Sequence, residues 1–358
     1  MRLLLLSIFI LIFNSSFAQV PELSIDNLSI HANIEAYYAK DNNYEETERT
    51  YASTASFTDE FRLDIASLTA KYEDKKVRGT FTLQYGDIPD FNWDPRYKYI
   101  QEANVGFSPV ENLWIDGGFF ITHVGNESMF PKDNFLTSIA IVTYYEPLHQ
   151  SGIKVSYDFS DKFSAAVYLI NGFNQLSDNN KNKSGGFSIN YKPGKSEEII
   201  YNAIVGNEQP YGEISKLRYY GNLTFNKDFG RNKQVNLTAS VDLCGQEKSN
   251  LVNPSNDGFC FGGLLALRYN FNKQFSVSMR GDYFKDDNGI LSGTYVTASG
   301  KILGLSSWSI ASGVEYRPME SCYVRLEGGY MLLLNDLRLF SDDDNYKVTG
   351  IFTMGVDI

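Results

Sequence analysis

Residues 217–243 read LRYYGNLTFNKDFGRNKQVNLTASVDL and alternate between apolar and polar side chains on both sides of a polar centre. Leu223 and Phe225 share one face of the first half, and Leu237 and Val241 share one face of the second. A period of two is typical of β-strands, so this segment predicts a hairpin with one apolar and one polar face. The apolar face would point inward in a soluble sandwich and toward lipid in a membrane barrel, and the alternation alone leaves both open.

The same alternation recurs along the whole chain and predicts sixteen strands. In VRGTFTLQYG, for example, Phe81 stands between Thr80 and Thr82 and faces the other way. One predicted strand loses its phase near residues 66–67, which we interpret as a β-bulge. The predicted strands cover residues 28–38, 60–72, 77–86, 97–107, 113–122, 151–158, 162–171, 185–192, 198–206, 217–226, 235–244, 259–269, 274–284, 302–317, 322–333 and 347–358.

The predicted connections alternate strictly between short and long. The short ones are residues 73–76, 108–112, 159–162, 193–197, 226–234, 270–273 and 318–321. The long ones are residues 39–59, 87–96, 123–150, 172–184, 207–216, 245–258, 285–301 and 334–346. Outer-membrane barrels have short periplasmic turns and long outer loops, whereas Greek-key sandwiches do not sort their connections in this way. The sequence therefore predicts an all-β fold, a transmembrane up-and-down antiparallel β-barrel of about 16 strands whose apolar face meets lipid.

The N-terminus has the features of a secretory signal peptide. Arg2 precedes a run of apolar residues, and a small-residue cleavage motif ends at Ala18. An uncleaved anchor helix is the alternative. We expect residues 1–18 to be a signal peptide that is cleaved near Ala18, and residues 19–358 to form a single barrel domain in the cell outer membrane of a Gram-negative bacterium.

The composition narrows the expected partners. A formal net charge of −11 argues against binding to nucleic acid. The partners we expect are outer-membrane lipid, small hydrophilic solutes or ions, and the barrel-assembly machinery, which would recognise the alternating last strand that ends at Ile358. A homotrimer is a common assembly of sixteen-strand porins, although no face of the sequence marks an interface.

The polar faces of the strands indicate a water-filled interior, because sixteen strands enclose an aqueous channel unless a plug fills it. The third long connection, residues 123–150, differs from the others in its apolar middle around Leu136 and Ile141. We expect it to fold into the lumen and narrow the pore; an exposed loop or a segment extended along the wall is the alternative. The candidate pore-lining or constriction residues are Arg78, Glu102, Asp116, His123, Glu127, Lys132, Asp133, Glu146, His149, Lys154, Arg218, Asp242, Arg268, Arg280, Asp282, Arg325 and Glu327.

The centre of the chain also resembles a known family. GGFFITHVGNE, residues 117–127, and EPLHQSGIKVSYDFSDKFSAAVYLINGFN, residues 146–174, are similar to the central region of the OmpL-like β-barrel porin family. The sequence departs from that family at His123 and Val124, where the family often has a proline. The resemblance implies an outer-membrane porin and brings no catalytic residue with it. The matching positions are Gly117, Phe119, Gly125, Glu127, Asn134, Ser138, Pro147, His149, Gly152, Tyr157, Asn171 and Gly172.

The remaining residues with chemical potential are cysteines and histidines. Cys244 and Cys260 flank one long connection on the predicted inward face, so both a disulfide and two free thiols are open. No nucleophile-elbow pattern supports a hydrolase, and the spacing of His123, Glu127 and His149 is not that of a metal site. We therefore expect no catalytic, metal-binding or cofactor-binding residue and no enzyme activity.

Together these features predict an outer-membrane porin that acts as a passive diffusion channel for small hydrophilic solutes or ions, with residues 123–150 narrowing the pore. The alternative is a substrate-specific channel, or a ligand-binding or adhesive outer-membrane barrel without general pore activity. The acidic outer loops favour cations weakly. The sequence leaves the transported solute and the oligomeric state open.

Overall fold

Sixteen antiparallel strands form one closed barrel within the part of the chain that the structure, a computed structural model, describes: residues 25–358 without residues 45 and 231. The predicted signal peptide, residues 1–18, lies outside the described residues. The first and last barrel strands pair with each other, with Ala36 opposite Met354, and so close the ring. The predicted fold class is confirmed.

The elements follow one another in a simple up-and-down order. The barrel strands are β1 (Leu28–Asp41), β2 (Phe61–Glu73), β3 (Val77–Tyr85), β4 (Ile100–Phe107), β5 (Leu113–Ile121), β6 (His149–Ser160), β7 (Phe163–Ile170), β8 (Ser184–Gly194), β9 (Glu197–Asn207), β10 (Leu217–Phe229), β11 (Val235–Gln246), β12 (Gly258–Asn270), β13 (Phe275–Lys285), β16 (Ser306–Met319), β17 (Cys322–Leu333) and β18 (Tyr346–Asp357). The other elements lie in the connections: the ribbon of β14 (Tyr295–Val296) and β15 (Ile302–Leu303), the helices α1 (Asp87–Asn92) and α2 (Ile141–Tyr144), and 3₁₀ turns at Ile25–Asn27, Pro131–Asp133 and Ser341–Asp343.

The helices are minor parts of this fold. Across residues 25–358, apart from 45 and 231, no helix has the length and apolar character needed to cross a membrane.

The predicted strand at residues 302–317 is correct for most of its length but begins too early. Ile302–Leu303 pair with the β14 segment outside the barrel, and the barrel strand begins at Ser306. The strand begins late because Gly304 packs directly against the backbone of Asp286. An added Cβ at Gly304 would lie 1.9 Å from the Asp286 carbonyl oxygen. This close approach turns the chain before it enters the wall.

The predicted bulge in β2 is present but lies earlier than residues 66–67. Glu35 is opposite Ile65 and Ala36 is opposite Leu63, so Asp64 is the extra residue. Both carboxylate oxygens of Asp64 accept the Ala55 backbone N–H at 3.0 Å, which stabilises this extra residue in the barrel interior.

The apolar face of the strands points outward, as predicted. Leu223 and Leu243 expose 50 % and 62 % of their surface, whereas the neighbouring Asn222 and Asp242 are buried inside the barrel. A closed ring pairs every barrel strand on both sides, so the outward apolar face meets lipid and the inward polar face lines the lumen.

The alternation of short and long connections is also confirmed, because every second connection is a tight turn. The long connections cover the other end of the barrel, and apolar residues of several of them pack inside it. Residues 122–148, which we call the third loop, contribute Val142, Phe130 and Val124 to three separate apolar clusters. Apolar residues of these loops therefore pack against the inner wall at this end of the barrel.

Candidate pore interior

The period of two brings charged side chains from neighbouring strands together on the inner wall. On β3–β6, the Arg78 guanidinium donates two hydrogen bonds to the Asp116 carboxylate, each of 2.6 Å, and the Lys154 ammonium lies 3.5 Å from it. Gly106 stands between Arg78 and Asp116 on β4, and an added Cβ there would lie 2.1 Å from Asp116 Oδ1. The missing side chain thus allows a bidentate ion pair to span three strands, a strong and directional contact.

The opposite wall, β11–β18, binds the third loop through three arginines, of which Arg280 and Arg325 make the most hydrogen bonds to it. Arg280 Nη1 donates to the carbonyl oxygen of Ser138 at 2.5 Å and to Glu127 Oε1 at 2.9 Å. Arg325 donates to the carbonyl oxygens of Pro131 and Asn134, each at 3.1 Å. A guanidinium has five donors in a fixed fork, so each arginine bridges several acceptors of a segment that has little regular secondary structure.

Carboxylates of the same wall accept the backbone N–H groups of the loop. Glu327 accepts the N–H groups of Thr137 at 2.7 Å and Ser138 at 3.2 Å, and it also accepts the Ser138 hydroxyl. Asp282 accepts the Ile141 N–H at 3.1 Å. Since a buried backbone group without a partner is costly, these bonds allow irregular backbone to lie inside the barrel.

Glu127 connects two parts of the third loop to each other and to the wall. Its Oε2 accepts the Ala140 N–H at 2.6 Å and the Thr143 hydroxyl at 3.2 Å, while its Oε1 is held by Arg280. One carboxylate thereby joins the two ends of the loop to the β13 wall.

Glu146, near the end of the third loop, lies against Asp242 of β11. Asp242 Oδ1 accepts the Tyr220 hydroxyl and the Asn222 amide, each at 2.8 Å, but Asp242 Oδ2 and Glu146 Oε1 have no hydrogen-bond partner. Burial, together with the adjacent Asp242 carboxylate, raises the pKa of Glu146 well above its usual range. Two buried carboxyl groups without a cation are stable together when they share a proton.

Arg218 on β10 and Arg268 on β12 also contact loops. Arg218 donates to Gln246 at 2.8 Å and to the Ile290 carbonyl at 3.2 Å. Arg268 lies 3.1 Å from Glu315 and donates to the Phe135 carbonyl at 3.3 Å. Both side chains therefore hold loops in place.

The two predicted constriction histidines pack into the wall. His123 stacks on Tyr168 with 4.0 Å between ring centroids, and burial lowers the pKa of His123. His149 is buried beside Trp93, with 5.1 Å between their rings, and neither of its ring nitrogens has a hydrogen-bond partner. These residues contribute to packing around the loop.

A polar cavity of about 280 Å³ separates the third loop from the wall of β1, β2, β4 and β18. Its charged lining residues are Glu102 on β4, Lys132 and Asp133 on the loop, and Asp357 on β18. The Lys132 ammonium lies 3.2 Å from Asp133 and 3.4 Å from Asp357. His31 and polar residues of β1 and β2 complete the lining. The interior thus has a side where the loop packs directly on the wall and a side where this cavity lies between them.

Some residues of the interior were not predicted from the sequence. Glu35 is fully buried, accepts the Tyr323 hydroxyl, and has one oxygen without a partner. Asp357 lines the cavity. Its place in the alternation could have predicted this, because it is one residue after the outward Val356 and therefore faces inward. Glu35 had the same signal, because it alternates with the exposed Ile34.

Cys244 and Cys260 lie directly opposite each other in the β11–β12 register, and both thiols are free. The Asn270 N–H bonds the Gln234 carbonyl across the same strand pair, so by the two-residue alternation the cysteines also occupy a hydrogen-bonded pair. Such pairs hold their Cα atoms about 5.5 Å apart, the wider of the two antiparallel spacings. The disulfide stays a prediction.

Metal ligands are not concentrated anywhere in the described part of the chain. Residues 25–358, apart from 45 and 231, contain no group of three or more His, Cys, Asp or Glu side chains arranged to hold a metal ion.

A closed sixteen-strand barrel with an apolar outer face and a charged inner face defines the class of outer-membrane porins. The chain matches the family described as "Putative beta-barrel porin-2, OmpL-like" over residues 27–358. The protein belongs to this family, as the resemblance of its central region indicates, and is an outer-membrane porin channel.

Solved porin structures share the fold at low sequence identity. The anion-selective porin from Comamonas acidovorans is 8 % identical, with a TM-score of 0.63 over 92 % of this chain and 99 % of that chain. Pseudomonas putida OprB is 11 % identical, with a TM-score of 0.63 over 93 % and 94 %. Salmonella typhi OmpF, in complex with daunomycin, is 12 % identical, with a TM-score of 0.57 over 92 % and 97 %. No curated protein matches the chain by sequence.

Proposed function

We propose that this porin is a passive diffusion channel for small hydrophilic solutes or ions and that the third loop narrows its pore. The observation that carries the proposal is the use of Arg280 and Arg325, two buried wall residues, to bind carbonyl oxygens of the loop backbone. A hydrogen bond to a charged group contributes about 1.5–3 kcal/mol, so several such bonds hold the loop firmly in the lumen.

The proposed path for solutes runs along the side where loop and wall are apart. There the cavity beside Glu102 and Lys132 is polar, and the neighbouring wall presents Lys154 and Arg78 with part of their surface exposed. Water and charged side chains on this side would carry ions, whereas the β11–β18 side is occupied by the loop. The channel would need no cofactor and perform no chemical step.

The test is a loop deletion studied in planar bilayers. Removing residues 128–140 should raise the single-channel conductance of the refolded barrel, because the segment that occupies the lumen is gone. The matched control removes residues 250–256 from an exposed outer loop, where Val252 is 96 % exposed, and should leave conductance unchanged. An unchanged conductance after the 128–140 deletion, in a barrel that is folded and heat-modifiable on a gel, contradicts the proposal.

One observation favours the second candidate, a substrate-specific channel or a ligand-binding barrel. Apolar residues of several loops, such as Ile290 and Leu337, are buried together with the third loop. A general pore conducts salt with no ligand present, whereas a specific channel shows saturable block by one solute. Titrating the salt current with single sugars and amino acids distinguishes the two candidates.

For assembly we propose insertion by the barrel-assembly machinery through β18 and a homotrimer in the membrane. The trimer is supported by an apolar groove of about 440 Å³ on the outward face of β2–β5, where Gly79, Ala103 and Gly117 lie beside Phe81 and Val105. Small residues allow a neighbouring wall to approach closely. Native mass spectrometry of the detergent-extracted protein should give a trimer; a monomer at all protein concentrations contradicts it.

A further inference from the structure

The cavity between the third loop and the β1–β4 wall has an excess of negative charge. Three carboxylates line it, Glu102, Asp133 and Asp357, against the single ammonium of Lys132. Lys132 is shared between Asp133 and Asp357. Glu102 forms no ion pair within the described residues and accepts only one long hydrogen bond, 3.4 Å from the Ile121 N–H.

Two basic residues of the inner wall are already paired. Lys71 lies 2.8 Å from Glu73, and Lys154 lies 3.5 Å from Asp116. They therefore offset the Glu102 charge only partly, and an approaching cation would meet a carboxylate that has no dedicated partner. Carboxylates that line a narrow passage bounded by protein attract cations more strongly than the same groups in bulk water.

The rest of the lining consists of hydrogen-bonding groups without charge. Ser67, Thr69 and Ser128 supply hydroxyls, and Asn33 and Gln101 supply amides, from the two sides of the cavity. A volume of about 280 Å³ is just below the range of pockets that hold drug-sized ligands. The cavity thus has room for one small, strongly polar molecule.

We propose that this cavity is a solute-binding site for small organic cations, molecules with an ammonium or guanidinium group and further polar groups, and that Glu102 is its specificity-determining residue. The cation lies against Glu102, and the hydroxyls and amides bind the polar remainder of the solute. The site rests on the proposed diffusion function, since a solute reaches it by entering the lumen. It makes the channel selective among solutes of equal size.

The experiment compares L-arginine with L-citrulline, which has nearly the same shape but a neutral urea in place of the guanidinium. Each is titrated into the single-channel KCl current of the refolded barrel. We expect arginine to reduce the current with a dissociation constant at least tenfold lower than that of citrulline. In Glu102→Gln, the dissociation constant for arginine should rise about tenfold, because the substitution removes the carboxylate charge. The dissociation constant for citrulline should stay the same.

The matched control is Glu198→Gln. Glu198 is a carboxylate of the β9 wall that lies 3.5 Å from Lys192, outside the cavity, so its loss should not change the arginine constant. Equal block by arginine and citrulline, or an arginine constant that Glu102→Gln leaves unchanged, overturns the inference while the KCl conductance still supports a pore. If the folded barrel passes no KCl current, the diffusion function fails, and calorimetric titration of arginine in detergent decides the site: binding that Glu102→Gln weakens supports it, and no binding overturns it.

Discussion

Arg325 shows how a single residue joins the wall to the loop. Its side chain has no exposed surface, lies 2.6 Å from Glu315, and donates to loop carbonyls at Pro131 and Asn134. The ion pair with Glu315 partly offsets the cost of burying the charge, and the carbonyls satisfy the remaining donors. A residue that would be costly alone in the barrel interior becomes part of a connected network.

Removing this side chain should therefore destabilise the barrel strongly. Arg325→Ala leaves Glu315 buried beside fewer cations, and breaking a buried pair in this way costs about 3–5 kcal/mol. The measurement is the free energy of unfolding in urea in the presence of detergent. Arg317→Ala is the control, because Arg317 also pairs with Glu315 at 2.8 Å but is partly exposed and should cost about 1 kcal/mol or less. Equal costs would contradict the network described here.

Substitutions on β11 can test which face of the strand meets lipid and which faces the lumen. Val241 is 51 % exposed on the outward face and lies near the middle of the strand, so Val241→Arg places a charge in lipid and should cost about 2–4 kcal/mol. Thr238 faces the lumen, where its hydroxyl donates to Asn226, and Thr238→Arg should fold and change conductance instead. Unfolding free energies in the reverse order would mean that the faces are assigned wrongly.

At the scale of elements, the third loop is fitted to a wall that has glycines where the loop approaches it. An added Cβ at Gly262 on β12 would lie 2.6 Å from Val142 Cγ2 and 2.9 Å from Val142 Cβ. The absent side chain is what permits the short helix α2 to pack on β12. The contact depends on the loop and the wall at the same time.

Gly262→Ala should consequently push the loop away from the wall. The clash involves Cβ and Cγ2 of Val142, and a Cβ is fixed by its backbone while χ1 of a β-branched residue is restricted, so overpacking should cost about 1–3 kcal/mol. The expected result is a higher or fluctuating single-channel conductance. Gly350→Ala is the control, since an added Cβ there meets nothing within 4 Å. A conductance equal to wild type in Gly262→Ala would show that the loop does not set the pore width.

The contact between Glu146 and Asp242 should make the free energy of unfolding depend on pH. The pKa of Glu146 is raised in the folded protein. Between pH 4.5, the usual value, and the raised pKa, the folded state therefore binds a proton that the unfolded state has released. The stabilisation is complete below pH 4.5 and is lost as the pH rises through the raised value. The free energy of unfolding should fall over this window in wild type and fall less in Glu146→Gln, whose amide can donate to Asp242 at any pH. Identical pH profiles would contradict a shared proton.

At the scale of the whole molecule, the sequence predicts the barrel well because strand alternation and connection length are local properties. Each strand carries its own period of two, so sixteen strands and their facing follow from the residues alone. The site is less predictable because it depends on contacts between distant residues: Arg280 and Ser138 are 142 positions apart. Charge on a polar face indicates the lumen, but it does not distinguish Glu315, which holds arginines, from Glu102, which has no ion pair.

The loop clusters illustrate the same limit. An apolar middle in residues 123–150 indicates a buried segment, but its partner Phe284 lies on β13, where the other inward positions, such as Arg280 and Asp282, are polar. A tertiary contact of this kind overrides the local pattern. The bulge at Asp64 is also set by a contact outside its strand, the Ala55 N–H.

The most direct measurement is the single-channel current of the refolded barrel, residues 19–358, in a planar bilayer with asymmetric KCl. Stepwise, long-lived conductance is the expected result, and the acidic lining beside Glu102 and Asp133 predicts a reversal potential of the sign for cation preference. A folded, heat-modifiable barrel that passes no current would contradict the account of this protein as an open diffusion channel.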